Sequence, residues 1–509
     1  METPKRVNQQ LEKIIGRIIQ AGFQIDARAL QLLRELSPLG TVEEVVERTL
    51  AEAESLSQKP LFLTYELLQR QNSATENIPE TLSTPLSPSP YAQQIDAKLE
   101  IIHAPSEAES SSGDMEDLLA YFKDRFTRLS EILRERSDVR DSVPLGKALN
   151  APTKQKMKAI VFVSEKRERK GTMQVEVEDA NDHATLVVSG NTNKATFEKA
   201  QRLFLDQVVC VEMLKARNDL LIANDFINPD IPEKPHGVGE DEVYAVLTSD
   251  LHVGSDKFLP DVFNRFLSWL RGKADGPEQR RIAGRVKYVI IAGDLVDGIG
   301  VYPNQEKELE IKDIQEQYSA VGKLLSAIPD YIEILLVPGN HDASRQALPQ
   351  PCIPEKFIAC VQRYRKVVNL PNPSRVRVHG IEVLIYHGTS LNDVVGTIPE
   401  VTYQRLSETL PIAMRSLLKA RHLAPQYGGR TPILARKRDE LVIDVPPDIL
   451  HCGHVHVTSH EMYRGTLLVN SGAWQAQTTY QERMGLNPTP GIVPVVNLKD
   501  LSLLRLNFA

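Results

Sequence analysis

Five short stretches of this 509-residue chain carry side chains able to do chemistry together. They are Ser249-Asp250-Leu251-His252, Ala292-Gly293-Asp294, Pro338-Gly339-Asn340-His341-Asp342, Tyr386-His387-Gly388 and Cys452-Gly453-His454-Val455-His456. Singly, each is ordinary loop chemistry, since a loop Asp usually caps backbone and a lone His usually packs. Together they supply carboxylates, imidazoles and an amide in five successive clusters, which packing alone does not require. The donor types include no thiolate and suit Mn²⁺, Fe²⁺ or Zn²⁺ better than a soft metal. A carboxylate flanked by several imidazoles can bridge two ions about 3.5–4 Å apart, the arrangement used for in-line attack at phosphorus.

Such chemistry needs the five clusters brought to one place, and the elements before them can do it. Each cluster ends or follows a short apolar, β-branched run, which predicts buried strands over Val243–Thr248, Val286–Ala292, Ile332–Val337, Val383–Tyr386 and Asp448–Cys452. Ligand sites in open α/β sheets lie in the crevice beyond the strand ends, where side chains leave the sheet.

The series D-x-H, G-D, G-N-H-D, H, G-H-x-H is similar to the signature of the calcineurin-like metallophosphoesterases. That resemblance implies two divalent metals, Mn²⁺ foremost, with Fe²⁺, Zn²⁺ or Mg²⁺ the alternatives. It implies that Asp250, His252 and His456 hold one ion, that Asn340, His387 and His454 hold the other, and that Asp294 bridges them. By the same resemblance His341 is the general acid for the leaving oxygen, and Asp342 orients it. No motif position is substituted. Further stretches are more specific: Asp297-Gly298-Ile299-Gly300-Val301-Tyr302-Pro303, Arg421-His422-Leu423-Ala424-Pro425, Tyr427-Gly428-Gly429-Arg430-Thr431-Pro432 and Leu467-Leu468-Val469-Asn470-Ser471-Gly472-Ala473-Trp474-Gln475. These resemble the small subunits of the archaeal family-D DNA polymerases across 241–509, less so before that and faintly in the first hundred residues. The resemblance implies a 3′→5′ exonuclease acting on single-stranded or frayed DNA 3′ ends, beside a large catalytic subunit that carries synthesis. Two other readings stand beside it: a scaffold subunit whose metal site is not catalytic, and a free-standing phosphodiesterase.

Composition bounds these readings. A net charge of −7 gives no global basic field, so nucleic acid must be held by local patches or through a partner. Four Cys without C-x-x-C spacing suggest neither a zinc ribbon nor a disulfide framework. The sequence shows no apolar run long enough to cross a membrane and no signal pattern, which predicts a cytoplasmic protein.

The expected fold class is multidomain α+β: a calcineurin-like α/β sandwich preceded by an OB-fold β-barrel and a small N-terminal helical module. Residues 1–70 read as that module: Leu11, Ile14, Ile15, Ile18 and Ile19 share a helical face, and Thr41 with Glu44 reads as a capping box. Residues 71–113, rich in Ser, Thr, Pro and Glu, are expected to be a flexible linker. Within 114–154, Asp114 is expected to cap a helix. Residues 155–230 give five short strands with a helix between the third and fourth, as in an OB-fold. Phe162 is the one aromatic in those strands, which favours protein docking over a base-stacking platform. Residues 240–509 form the phosphoesterase domain. Its most basic segment, with Arg421, His422, Arg430, Arg436, Lys437 and Arg438, is either a phosphate-holding border of the cleft or a solvated loop.

Overall fold

A computed structural model of the chain describes residues 14–21, 23–25, 27–36, 46–47, 49–50, 62–64, 68, 89–106, 113–216, 220–273 and 276–509. The chain divides into two units, 1–88 and 89–509.

In the first unit, residues 14–20 are helical and a second helix, α1, spans Ala27–Leu36. Their apolar spacing buries Ile14, Ile18, Ala29 and Leu33 with Phe23, Val46 and Leu68. The unit is not all helix, as the sequence suggested: β1 (Gln24–Ile25) pairs in parallel with β2 (Phe62–Leu63). Two-residue strands are too short to show an alternating pattern. Leu11 and the Thr41–Glu44 capping box lie outside the described residues.

The second unit departs from expectation at its start. Part of the segment expected to be a flexible linker is ordered: residues 99–103 form a strand, β3 (Leu99–His103), at the edge of a six-stranded sheet. It pairs antiparallel with a strand more than 270 residues on, through pairs such as Glu100–Arg377 and His103–Arg375. The Tyr288 hydroxyl fixes its entry, accepting from Lys98 N at 2.9 Å and donating to Lys98 O at 3.0 Å. The Ser/Pro-rich character that signals a linker stops before this strand, and its pairing is too remote to read locally.

Helix α2 (Met115–Glu135) starts at Asp114, whose side chain accepts from Asp117 N. Five strands then close a barrel: β4 (Lys156–Arg169), β5 (Thr172–Glu178), β6 (His183–Ser189), β7 (Val208–Lys215) and β8 (Leu221–Ile227), in the order β4-β5-β6-β8-β7. β6 and β8 are its parallel pair. Helix α3 (Lys194–Gln201) lies between the third and fourth strands, and alternate residues such as Val161, Val175, Leu186 and Val211 fill the interior.

The rest is a sandwich of two six-stranded sheets. One is ordered β12-β11-β10-β9-β18-β19, from β9 (Tyr244–Thr248), β10 (Val286–Ala292), β11 (Glu333–Val337), β12 (Val368–Asn369), β18 (Ile492–Asn497) and β19 (Leu503–Asn507). The other is ordered β16-β17-β15-β14-β13-β3, with β13 (Ser374–Val378), β14 (Ile381–Ile385), β15 (Ile449–Cys452), β16 (Ser459–Tyr463) and β17 (Thr466–Asn470). Strand alternation gives each sheet two apolar faces. Ala245, Leu247, Ile290 and Leu335 meet Val376, Val383, Ile449 and Val469 between the sheets. Val246, Val289 and Ile291 pack outward under helix α4 (Pro260–Leu270) and Trp474. β9, β10 and β11 run parallel, as do β14, β15 and β17.

A buried arginine joins helix, barrel and sandwich. Arg125 of α2 is fully buried and donates from Nε to Asp439 Oδ2 at 2.6 Å. Its Nη1 donates to Pro425 O at 2.6 Å and to Asp206 O, in the turn before β7, at 3.1 Å. Replacing Arg125 by Met would strand the Asp439 carboxylate in a dry junction, a loss of about 3–5 kcal/mol. Denaturant unfolding of the full chain checks this: a loss below about 1 kcal/mol would show that the junction does not depend on the pair.

Candidate metal centre

All five clusters sit just beyond the C-terminal ends of parallel strands. Asp250 and His252 follow β9, Asp294 follows β10, and Asn340 and His341 follow β11; His387 follows β14, and His454 and His456 follow β15. Three strand ends of one sheet and two of the other therefore converge, as the sequence predicts.

The chain turns sharply to bring the side chains inward. Asp250, His252, Asp294, His454 and His456 have φ of 52°, 51°, 54°, 70° and 56°, in the left-handed region that non-glycine residues avoid. Such strain persists only where the surroundings over-determine it. Here Asp250 N donates to Gly293 O at 2.9 Å, His252 N to Asp294 O at 3.1 Å and Gly453 N to His387 O at 2.8 Å. Carboxylates clamp neighbouring loops as well: His341 N donates to Asp294 Oδ1 at 2.8 Å and His454 N to Asp250 Oδ2 at 2.9 Å. Two glycines are needed for this closeness. A Cβ on Gly339 would lie 2.2 Å from Asp294 Oδ1, and one on Gly453 would lie 2.3 Å from Ser249 Oγ.

The donor atoms form three overlapping groups: Asp250, His252 and His456; His252, Asp294 and His341; Asp294, His387 and His454. Within each group they lie within 4.8 Å of one another. Asn340 joins the third group, its Oδ1 being 3.0 Å from His387 Nε2. Each imidazole has one nitrogen tied. His252 Nδ1 meets Asp297 Oδ1 at 3.1 Å, His387 Nδ1 meets Ala292 O at 2.7 Å, and His341 Nδ1 meets Asp297 O at 2.7 Å. His454 Nε2 meets the Asn392 amide at 2.8 Å and His456 Nδ1 meets that of Gln481 at 2.9 Å. Anchoring one nitrogen and leaving the other for an ion is how proteins orient ligating histidines.

The electrostatics fit divalent ions. Asp250 Oδ1 is buried and has no hydrogen-bond partner. Burial raises the Asp250 carboxyl to about 6, against the pull of His387. Burial would raise Asp294 too, but His387 and His341 hold it well below the usual carboxylate range. Burial opposes charge on His387, yet Asp294 and Asp250 hold that imidazolium up to about 9. Burial lowers His454 to about 3 and puts His456 well below the imidazole range, so both rings are neutral, as ligands must be. A cluster that stabilises a buried cation at His387 has the field to accept metal charge.

The structure corrects two expectations. Asp342 does not orient the His341 ring: its Oδ2 accepts from Gly339 N at 2.8 Å and Leu295 N at 3.3 Å, and its Oδ1 from the Tyr318 hydroxyl at 3.0 Å. The group that orients His341 is the Asp297 carbonyl, while the Asp297 carboxylate holds His252. The basic segment is also mostly structural. Arg421, His422 and Arg436 are buried; His422 Nε2 faces Asp439 at 2.9 Å, and Arg438 pairs with Asp444 at 3.2 Å. Arg430 stays exposed near the site, with Nη1 donating to the Tyr403 hydroxyl at 3.4 Å. Of the supports Asp297, Asn392 and Gln481, only Asp297 falls in a stretch whose sequence is distinctive.

The sequence model of a family described as the B-type subunits of DNA polymerases alpha and epsilon matches residues 245–460. The DNA polymerase II small subunit of Methanothermobacter thermautotrophicus is 35% identical over 500 residues, 97% of this chain and 100% of that one. That of Archaeoglobus fulgidus is 40% identical over 397 residues, 78% of each chain. Among solved structures, one described as a novel archaeal phosphodiesterase is 14% identical, covering 52% of this chain and 99% of its own, with a TM-score of 0.24. A Vps29 complex with Zn²⁺ from Entamoeba histolytica is 15% identical over 52% of this chain and all of its own, with a TM-score of 0.25. At those TM-scores neither structure carries an argument about this chain.

The Asp342 geometry makes a prediction that separates capping from orienting. Asp342→Ala leaves the Gly339 and Leu295 amides and the Tyr318 hydroxyl without their acceptor, so stability should fall by at least about 2 kcal/mol. An unchanged urea midpoint, with activity alone reduced, would restore the orienting role.

Proposed function

We propose, from the premise that this chain belongs to the family of DNA polymerase II small subunits, that it is the proofreading subunit of an archaeal replicative polymerase. It removes nucleotides from single-stranded or frayed DNA 3′ ends, and a large partner subunit carries synthesis. One observation carries this reading: the convergence of three overlapping carboxylate–imidazole groups, two of which share Asp294.

We assign Asp250, His252 and His456 to one divalent ion and Asn340, His387 and His454 to a second, with Asp294 between them. Mn²⁺ is the foremost candidate, then Fe²⁺, Zn²⁺ and Mg²⁺. When bound, the ions would neutralise the phosphodiester and acidify the attacking water. The chain's own residues do the rest. The left-handed turns fix the donors before substrate arrives, so little reorganisation remains for the reaction. Asp297 O fixes His341 through Nδ1, which leaves Nε2 as the nitrogen that gives up a proton. As the water oxygen joins phosphorus, the bond from phosphorus to the 3′ oxygen breaks, and that oxygen takes the His341 proton. The products are a nucleoside 5′-monophosphate and a strand ending in a 3′ hydroxyl.

We read the closed barrel as an OB-fold, on its strand order and the helix between its third and fourth strands. Phe162 packs against Phe122 and Phe126 of α2, with centroids 5.8 and 5.2 Å away. That supports a barrel used for docking to the large subunit rather than for stacking bases. Among the described residues no helix is long and apolar enough to cross a membrane; we place the protein in the cytoplasm.

Asp294→Ala should abolish Mn²⁺-dependent release of nucleotides from a 3′-labelled single strand while leaving the fold intact by circular dichroism. Wild-type rates in that variant would sink the assignment.

His341→Ala should keep the metal content of the wild type and turn over at least about 10²-fold more slowly. Elemental analysis showing an ion lost would make His341 a ligand instead of an acid. Neither variant nor wild type should extend a primer unless the large subunit is present.

A further inference from the structure

Beside the cluster stands the most exposed aromatic of the described residues. Tyr480 is 65% exposed, against 39% for Tyr91 and Tyr364. It sits on a short helix, α5 (Thr479–Met484). That helix is rigidly held: Thr478 and Gln481 form a capping box, and the Gln481 amide also touches His456. The exposed ring is thus one residue from a group that contacts the metal centre.

A second tyrosine approaches from another element. The turn Tyr403–Arg405 packs against α5, where Gln404 Nε2 donates to Met484 O at 3.3 Å. The Tyr403 hydroxyl donates to Asn392 Oδ1 at 2.8 Å, and the Asn392 amide lies 2.8 Å from His454 Nε2. Arg430 completes the series through its contact with the Tyr403 hydroxyl. Its backbone N is pinned by Asp393 Oδ1 at 2.7 Å, and its guanidinium has no carboxylate within ion-pair distance among the described residues. Asn392 and Arg430 also line a cavity of about 590 Å³ that reaches Lys166 and Leu205 of the barrel. Burial pushes the Tyr403 phenol up, Arg430 pulls it down and Tyr480 pushes it up again, which places all three groups in one neighbourhood.

We infer that Tyr480, Tyr403 and Arg430 form a rim that receives a single DNA strand, with Tyr480 stacking a base and Arg430 meeting a phosphate, as the 3′ end enters the metal centre. The inference rests on the nuclease reading above and names the part of the site that grips its substrate. A stiffly mounted, solvent-facing phenol gains from a flat apolar partner, and every base has such a face. A lone cation beside it suits the strand's backbone. The pairing of stack and cation is sequence-tolerant, as an editing site requires.

The test uses the full chain and Tyr480→Ala, with Tyr480→Trp as the conservative control. Affinity for a fluorescent single-stranded oligonucleotide is read by anisotropy in EDTA, and hydrolysis of that oligonucleotide and of bis(p-nitrophenyl) phosphate is read in Mn²⁺. Tyr480→Ala should raise the Kd and KM for the oligonucleotide at least about 5-fold, the low end for loss of one base–aromatic stack. Its kcat and its rate on the small diester should match wild type, and Trp should restore binding. An unchanged Kd in Tyr480→Ala would overturn the rim, including the case in which Tyr480 serves a protein partner. A wild-type chain inert towards both substrates would overturn the nuclease reading instead, whatever the binding data show.

Discussion

The centre depends on a buried charge, the Asp294 carboxylate. Burial alone would neutralise it, and the imidazoles of His387, His341 and His252 keep it ionised. Its Oδ1 accepts from His341 N, its Oδ2 lies 3.3 Å from His387 Nε2, and its own backbone carbonyl accepts from His252 N. One residue therefore ties the ends of β9, β10, β11 and β14, from both sheets, to a single point. Removing its charge would leave a surplus of positive imidazole in a dry pocket, where an unbalanced ion is expensive.

What is legible in the sequence follows from where each signal lies. The donors are legible because each comes directly after a short apolar run, and a strand followed by a loop acid or histidine is a local pattern. Their supports are not. Asp297 reaches His252 and His341 only after the chain has folded back across some 45 positions, and Asn392 and Gln481 act through amides that carry no motif. Asp342 looks like a partner of His341 because it is its neighbour, yet the tight G-N-H-D turn points it back at the Gly339 amide. β3 reads as linker because its hydrogen-bonding partner is remote. The basic segment misleads for a related reason: Arg421 and His422 look like surface charge until Asp444 O and Asp439 enclose them.

The same logic of remote pairing holds the larger pieces together. α2 is amphipathic by sequence, but the residue that fixes it is polar: Arg125, shared among the Asp439 carboxylate, the Pro425 carbonyl and the Asp206 carbonyl of the barrel. His422 meets the same Asp439 Oδ2, so sandwich, helix and barrel converge on one carboxylate held ionised by two cationic or potentially cationic neighbours against burial. The segment carrying Pro425 continues to Arg430 at the cluster's edge. Barrel placement and the rim of the site are therefore mechanically linked through one short loop, and a subunit docking on the barrel would act on the rim through it.

The centre also explains why the sandwich is so heavily built. Five non-glycine residues at left-handed φ cost on the order of 1–3 kcal/mol each, which together rivals the whole net stability of a typical domain. Asp250 Oδ1, buried without a partner, adds to that load. A loop of ordinary stability would relax and release the strain. Here each strained residue stands within a few positions of a strand that is buried on both faces: β9, β10 and β15 are buried at every position. The apolar layer between the sheets and the helical layers outside them fix the strand ends, and the strand ends fix the turns. Packing energy gathered across the two sheets is thus concentrated as geometric precision at one crevice, which is what a site needs if its donors are to be in place before any ion or phosphate arrives.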